Sequence, residues 1–174
     1  MYTEKVIDHF RNPHNRGKLD DSSAIGKVGN IACGDVMWMY IKVDTNEAGE
    51  EIISDVRWET FGCTAAIATS SMVSDMAKGK TIEEAIRLNN RDVADELGGL
   101  PPLKMHCSAL AADALNEAIY AYLSEQGRDI PPELSKRHEH IAKDVLELEK
   151  RYAKFLKKDT ETGTSEADAQ TPCS

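Results

Sequence analysis

Three cysteines stand where the chain changes direction. Cys33 precedes Gly34-Asp35 and an alternating run that reads as a strand. Cys63 follows Gly62 at the end of a second such run and directly precedes a helix, and Cys107 follows His106 at the start of another. Sites are commonly built at the ends of rigid elements. The thiolate, not the thiol, binds metal, and the positive end of a helix lowers a thiol pKa. That effect is expected at Cys63 and Cys107. Soft thiolates select zinc, cuprous copper or iron–sulfur clusters over magnesium and calcium. Three such ligands need a fourth donor to complete two irons or one tetrahedral zinc, and Asp35 and His106 are the nearby candidates. There is no Cys-x-x-Cys pair, and widely separated single cysteines are ordinarily small buried hydrophobes. Spacing alone therefore leaves metal, nucleophile and core readings open.

The elements that must position these residues can be read in order. Thr3 caps a helix to about Arg11, with Tyr2 and Ile7 as its staple and Asn12-Pro13 as its end. A loop rich in Gly, Asn and Asp follows. Residues 35–43 alternate, with Met37, Met39, Ile41 and Val43 on one face. A turn over 44–51 leads to a second strand in which Ile52, Val56 and Trp58 share a face. So short a connection makes the pair antiparallel. Small and apolar residues from Ala65 to Ala77 predict a helix stopped by Gly79. Thr81 to Glu84 is a capping box, Asn89-Asn90 interrupts, and Gly98 to Pro102 is a stiff break. Leu110, Ala111, Ala114, Leu115, Ala118, Ile119 and Tyr122 then keep helical period. Beyond Pro131-Pro132, Ile141, Val145, Leu148, Tyr152 and Phe155 form one apolar stripe on a long charged helix, packing on the domain or on a partner helix. Strands first and helices afterwards predict an α+β fold: a small antiparallel sheet with helices packed on one side, plus a long C-terminal helix. The expected organisation is one domain over 1–128, a helical extension over 129–158 and a disordered tail over 159–174.

The 174 residues are 41% hydrophobic and 29% charged, enough for one packed core. A net charge of −9 repels phosphate backbones, so no nucleic-acid partner is expected. No apolar run is long enough for a membrane span, and no signal-peptide pattern opens the chain. A reducing, cytoplasmic setting with free thiols is expected.

Several segments together resemble the IscU/NifU-type iron–sulfur scaffold family. They are Tyr2-Thr3-Glu4-Lys5-Val6 with Asp8-His9-Phe10 and Asn12-Pro13, then Ala32-Cys33-Gly34-Asp35, then Phe61-Gly62-Cys63 with Ala66 to Ser71. Lys78-Gly79-Lys80-Thr81 and Leu100 to Ser108 follow in the same order. The resemblance runs from about Tyr2 to Tyr122.

The resemblance implies a scaffold and not an enzyme, with Cys33, Cys63 and Cys107 holding a transient [2Fe–2S] cluster near the surface. Asp35 is the favoured fourth ligand and His106 the second choice. A carboxylate is a harder, weaker partner for iron than a thiolate, which suits ready release. Sulfur would arrive as persulfide from a cysteine desulfurase, with Cys107 the main acceptor, and the cluster would pass to apo iron–sulfur acceptor proteins. Leu100, Pro101, Pro102, Leu103 and Lys104 look like a segment that an Hsp70-type chaperone binds in extended form. A homodimer formed on cluster loading would bridge a [4Fe–4S] form. Lys104 is a candidate partner for Asp35. Cys173 matches no family cysteine. Two other readings compete: a zinc module on the same donors, and a thiol enzyme with Cys107 as nucleophile and His106 as base. The second leaves Cys33 and Cys63 unused, and sequence neighbours rarely form such a dyad.

Overall fold

The structure is a computed structural model that describes residues 1–31 and 33–161, with side chains through residue 153. It opens with helix α1 (Glu4–Arg11), capped where Thr3 Oγ1 accepts the Val6 N–H at 3.2 Å. The three strands are β1 (Ala24–Gly29), β2 (Val36–Thr45) and β3 (Glu51–Phe61). They form one antiparallel sheet in sequence order.

β1 lies where sequence patterning suggests a loop. Its inward residues are Ala24, Gly26 and Val28, too small to give a hydrophobic alternation. The packing explains the choice. A Cβ at Gly26 would stand 2.3 Å from Ala114 O and 2.4 Å from Ala118 N. Only glycine lets helix α5 (Met105–Glu125) cross the strand so closely.

The face of β3 also differs from expectation at one end. Lys42 pairs with Asp55 but Val43 pairs with Ile53, so Ser54 is an extra residue in a bulge. The bulge reverses inside and outside. Ile53, not Ile52, is fully buried with Val56 and Trp58.

One face of the sheet carries Met37, Met39, Ile41, Val56 and Trp58, all fully buried beneath the helices. The opposite face carries Trp38, Tyr40 and Glu59, which line an open cavity with Phe61. This is the one-sided burial expected of an antiparallel sheet.

Helix α2 (Thr64–Ala77) ends with Gly79 at φ +83°, and α3 (Ile82–Ile86) opens on the Thr81–Glu84 capping box. α4 (Asn90–Glu96) has a second capping box, from Asn89 and Asp92. A 3₁₀ turn (Pro102–Lys104) leads directly into α5. The final helix, α6 (Pro132–Glu161), lies against α5 and β1 through Leu134, Ile141 and Leu148. His138 stacks on Tyr120 at 3.8 Å and meets Glu117 at 3.0 Å. Tyr152, on the same stripe, is half exposed. The helix continues through the first three residues of the segment over 159–174 that was expected to be a tail; the rest of that segment, with Cys173, and the Phe155 side chain lie outside the described residues. Among the described residues no helix is long and apolar enough to cross a membrane.

Candidate metal centre

The antiparallel order brings the β1–β2 loop and the end of β3 to one end of the sheet, because Gly29 pairs with Val36 and Val36 with Phe61. The loop carries Cys33 and Asp35. Asn30 folds it: its carbonyl accepts the Gly34 N–H at 2.8 Å and its side chain accepts the Cys33 N–H at 3.3 Å. Gly34 turns the chain at φ +74°.

Directly after β3, Cys63 is the N-cap of α2. Cys107 sits in the first turn of α5, and its carbonyl is 3.2 Å from Thr69 Oγ1 of α2. Ala65 and Ala66 pack on Cys107, with Tyr2 and Leu100 beside them. Helix α2 therefore positions two of the three thiols.

Cys63 Sγ and Cys107 Sγ are 3.6 Å apart, and His106 Nε2 is 3.4 Å from Cys107 Sγ. Donor atoms of Asp35, Cys63 and Cys107 lie within 4.8 Å of one another, and so do those of Cys33, Asp35 and His106. Asp35 belongs to both sets. All five residues singled out by sequence thus meet at one place. The thiols are graded in depth: Cys33 exposed, Cys63 half-buried and Cys107 fully buried, all unbridged.

Asp35 is buried, and its Oδ2 has no hydrogen-bond partner among the described residues. The carboxyl fills the space left by Gly62, where a Cβ would meet Ala66 Cβ at 2.7 Å and Asp35 Oδ2 at 3.3 Å. An unsatisfied buried oxygen beside three sulfurs is a donor held ready for a cation, and the set suits a thiophilic metal.

The expected lowering of two thiol pKa values holds for one of them. Burial opposes ionisation of Cys63, but the Ala66 N–H, the Cys107 thiol and the Ala65 N–H outweigh it, and its pKa falls. Cys107 goes the other way. Burial first, then the nearby Cys63 charge, pushes it far above the ordinary thiol range despite its place at a helix start. Desolvation of its sulfur raises Cys33 as well; the Asp35 N–H counters this and the Asp35 carboxylate adds to it. Lys104 faces Cys63 electrostatically and not the expected Asp35: the Cys63 charge, with that of Tyr2, holds its ammonium pKa up.

Two further placements differ from expectation. Residues 102–104 form a 3₁₀ turn, with Lys104 N–H donating to Pro101 O at 2.7 Å, so the segment is not extended throughout. Proline at the first helical position has a suitable φ and no N–H to lose. Leu103 at its tip is 86% exposed. The second placement is the approach of His106 to Cys107, which the rarity of neighbouring dyads argues against. Burial and a raised pKa nonetheless make Cys107 a poor resting nucleophile.

Sequence reasoning also passed over a second cluster, His9, His14 and Asp75. His9 Nδ1 shares a hydrogen bond with Ser71 Oγ at 2.8 Å, Asn15 donates to Asp75 at 2.9 Å, and Trp58 Nε1 donates to His14 O at 2.8 Å. These bonds pin the loop after α1 to α2 and β3. Two histidines five positions apart beside Asn12-Pro13 were its only signal.

A family model described as "NifU-like N terminal domain" matches residues 1–129. An iron–sulfur cluster assembly scaffold protein IscU of Archaeoglobus fulgidus is 56% identical over 128 residues, covering 74% of this chain and 80% of the relative. The IscU of Haemophilus influenzae is 51% identical over 129 residues, covering 72% of this chain and 98% of the relative. The crystal structure of a NifU-like N-terminal protein from Brucella abortus shares the fold, with a TM-score of 0.54 at 18% identity over 71% of this chain and 94% of that one. With its three thiols and Asp35 gathered at the end of a three-stranded sheet, the chain belongs to the NifU-like N-terminal domain family, that of the IscU-type iron–sulfur cluster assembly scaffolds.

Proposed function

We propose that this protein is a scaffold on which an iron–sulfur cluster, as [2Fe–2S], is built from iron and desulfurase-derived sulfur and then handed to apo-proteins. The observation that carries the reading is the sharing of Asp35 between two donor sets that together contain Cys33, Cys63, Cys107 and His106. Iron and sulfide are cargo, held by soft thiolates and one hard oxygen. The weak Asp35–iron bond and the exposed Cys33 make release easy. His106 is the alternate fourth donor.

Sulfur transfer follows thiol–disulfide chemistry. A thiolate of the scaffold attacks the outer sulfur of the desulfurase persulfide; one S–S bond forms, one breaks, and the desulfurase thiolate leaves. Each transferred sulfur takes two electrons from a separate electron donor to become bridging sulfide. Cys107 is the final acceptor. Because it is buried, it acts once the segment from Gly98 to Met105 has moved, whereas Cys63 ionises more readily at rest. The exposed Leu103 tip is the contact for an Hsp70-type chaperone, which would have to open the 3₁₀ turn to bind it as an extended peptide. Residues 1–128 are the scaffold unit, α6 is its extension, and the setting is the reducing cytoplasm. A loaded homodimer would bring two such sites together.

Zinc fits the same donors, so zinc content does not decide the matter. Anaerobic incubation with ferrous iron, cysteine, a desulfurase and dithiothreitol as the electron donor, followed by addition of apo-ferredoxin, does. The expected result is a coloured cluster that moves to the ferredoxin. Zinc that iron cannot displace, with no transferable cluster, would overturn the reading.

A further inference from the structure

Helix α6 begins where the shared family region ends. The family match stops at residue 129, and the Haemophilus relative has almost no chain left beyond its aligned part. Yet one turn of this added helix reaches the cysteine loop. Leu148, Arg151 and Tyr152 share a face at three- and four-residue spacing. Leu148 Cδ2 stands 3.0 Å from where a Gly29 Cβ would be, so the end of this side chain closes directly on the bare glycine backbone. Next to it, Glu149 pairs with Lys27 of β1 at 2.7 Å. Arg151 Nη1 donates to Ile31 O at 3.0 Å, and the Tyr152 hydroxyl lies 3.7 Å from the Cβ position of Gly34. Within the loop, Asn30 N–H donates to Asp35 O at 2.9 Å and Gly34 N–H to Asn30 O at 2.8 Å, and the loop contains the exposed ligand Cys33.

We infer that α6 is a strap whose Leu148–Tyr152 turn positions the Cys33 loop and thereby slows the departure of Cys33 from a bound cluster. The inference rests on the scaffold reading for its effect on release, but the positioning itself does not require a cluster. Arg151 and Tyr152 act through the loop and are positioning residues. Here the added contacts make release depend on the helix staying docked.

The test uses the full chain with Arg151→Ala/Tyr152→Ala, both positions being exposed, and with Arg151→Lys, which keeps a donor. Arg137→Ala, at the other end of α6, is the control. Hydrogen exchange of the metal-free protein reads the amides of residues 29–35, and a chelator reads the release rate of the loaded cluster. The double variant should raise both by about five-fold, the weight of one net hydrogen bond. Arg151→Lys should return both toward wild type, and Arg137→Ala should change neither. Unchanged exchange in the double variant would overturn the strap. So would faster exchange with unchanged release, or an equal effect from Arg137→Ala. If wild-type protein loads no cluster, the scaffold reading fails, and the exchange result still decides whether α6 holds the loop.

Discussion

Asp35→Ala should make the metal-free protein more stable and the loaded protein slower to give up its cluster. Asp35 is 7% exposed and its buried Oδ2 has no hydrogen-bond partner among the described residues. Leaving such a group buried and unsatisfied costs about 1–3 kcal/mol. A methyl group removes that cost, and the lost packing over Gly62 returns part of it, for a net gain of roughly 1–2 kcal/mol. In a chain of this size each kcal/mol moves Tm by about 2–4 °C, so the midpoint should rise by about 2–8 °C. The assay is thermal and urea unfolding in reductant and chelator, with Asp35→Asn as the companion. The amide keeps the shape and remains poorly satisfied, so its gain should be smaller. In the loaded protein, removing the hard oxygen leaves the thiolates in place, and the cluster should persist longer under a chelator. An Asp35→Ala protein that melts below wild type would show that the carboxyl is satisfied in solution. Complete loss of cluster binding would refute its role as the labile donor.

Gly26→Ala should be among the most damaging small substitutions, since its methyl would meet backbone atoms of α5 at 2.3 and 2.4 Å; overpacking of this kind costs about 1–3 kcal/mol, measurable in urea. In metal-free protein Cys63 should alkylate at least about ten-fold faster than Cys107, because one thiol is lowered and partly accessible while the other is raised and buried; peptide mass spectrometry would resolve the two, and equal rates would contradict the site geometry. The Tyr122 hydroxyl and then Arg128 hold the Glu51 carboxyl below its ordinary value. Its stabilising effect is therefore complete above the unfolded carboxylate pKa, about 4.3, and is lost as pH falls through the lower folded value. Glu51→Gln should flatten the acid side of the stability curve and leave its slope near neutrality unchanged, as read by urea midpoints across pH.

Elements with strong local signals were legible from sequence. The Thr3 and Thr81 caps, the Gly79 stop and the Met37–Met39–Ile41 alternation each have a cause within a few residues. β1 escaped because its inward positions are Ala24 and Gly26, chosen for the closeness of α5 and not for hydrophobicity. The burial of Ile53 escaped because a bulge at Ser54 is set by pairing with β2, which a single-strand pattern does not contain. The donor residues were named from their positions at element ends and from the family resemblance, but their protonation was not legible. Cys63 and Cys107 both begin helices, yet tertiary burial reverses the helix effect for Cys107. The reach of α6 to the Cys33 loop was likewise hidden, because Ile31 and Arg151 are 120 positions apart.

The most direct test of the account is the iron and acid-labile sulfide content of anaerobically loaded protein, compared with Cys33→Ala, Cys63→Ala and Cys107→Ala. Wild type should hold iron and sulfide in equal amounts, and each single substitution should lose most of both while the metal-free fold remains. Retention of a full complement by any one of these variants would show that its sulfur is not a ligand and that the cluster does not sit where Asp35 joins the three thiols.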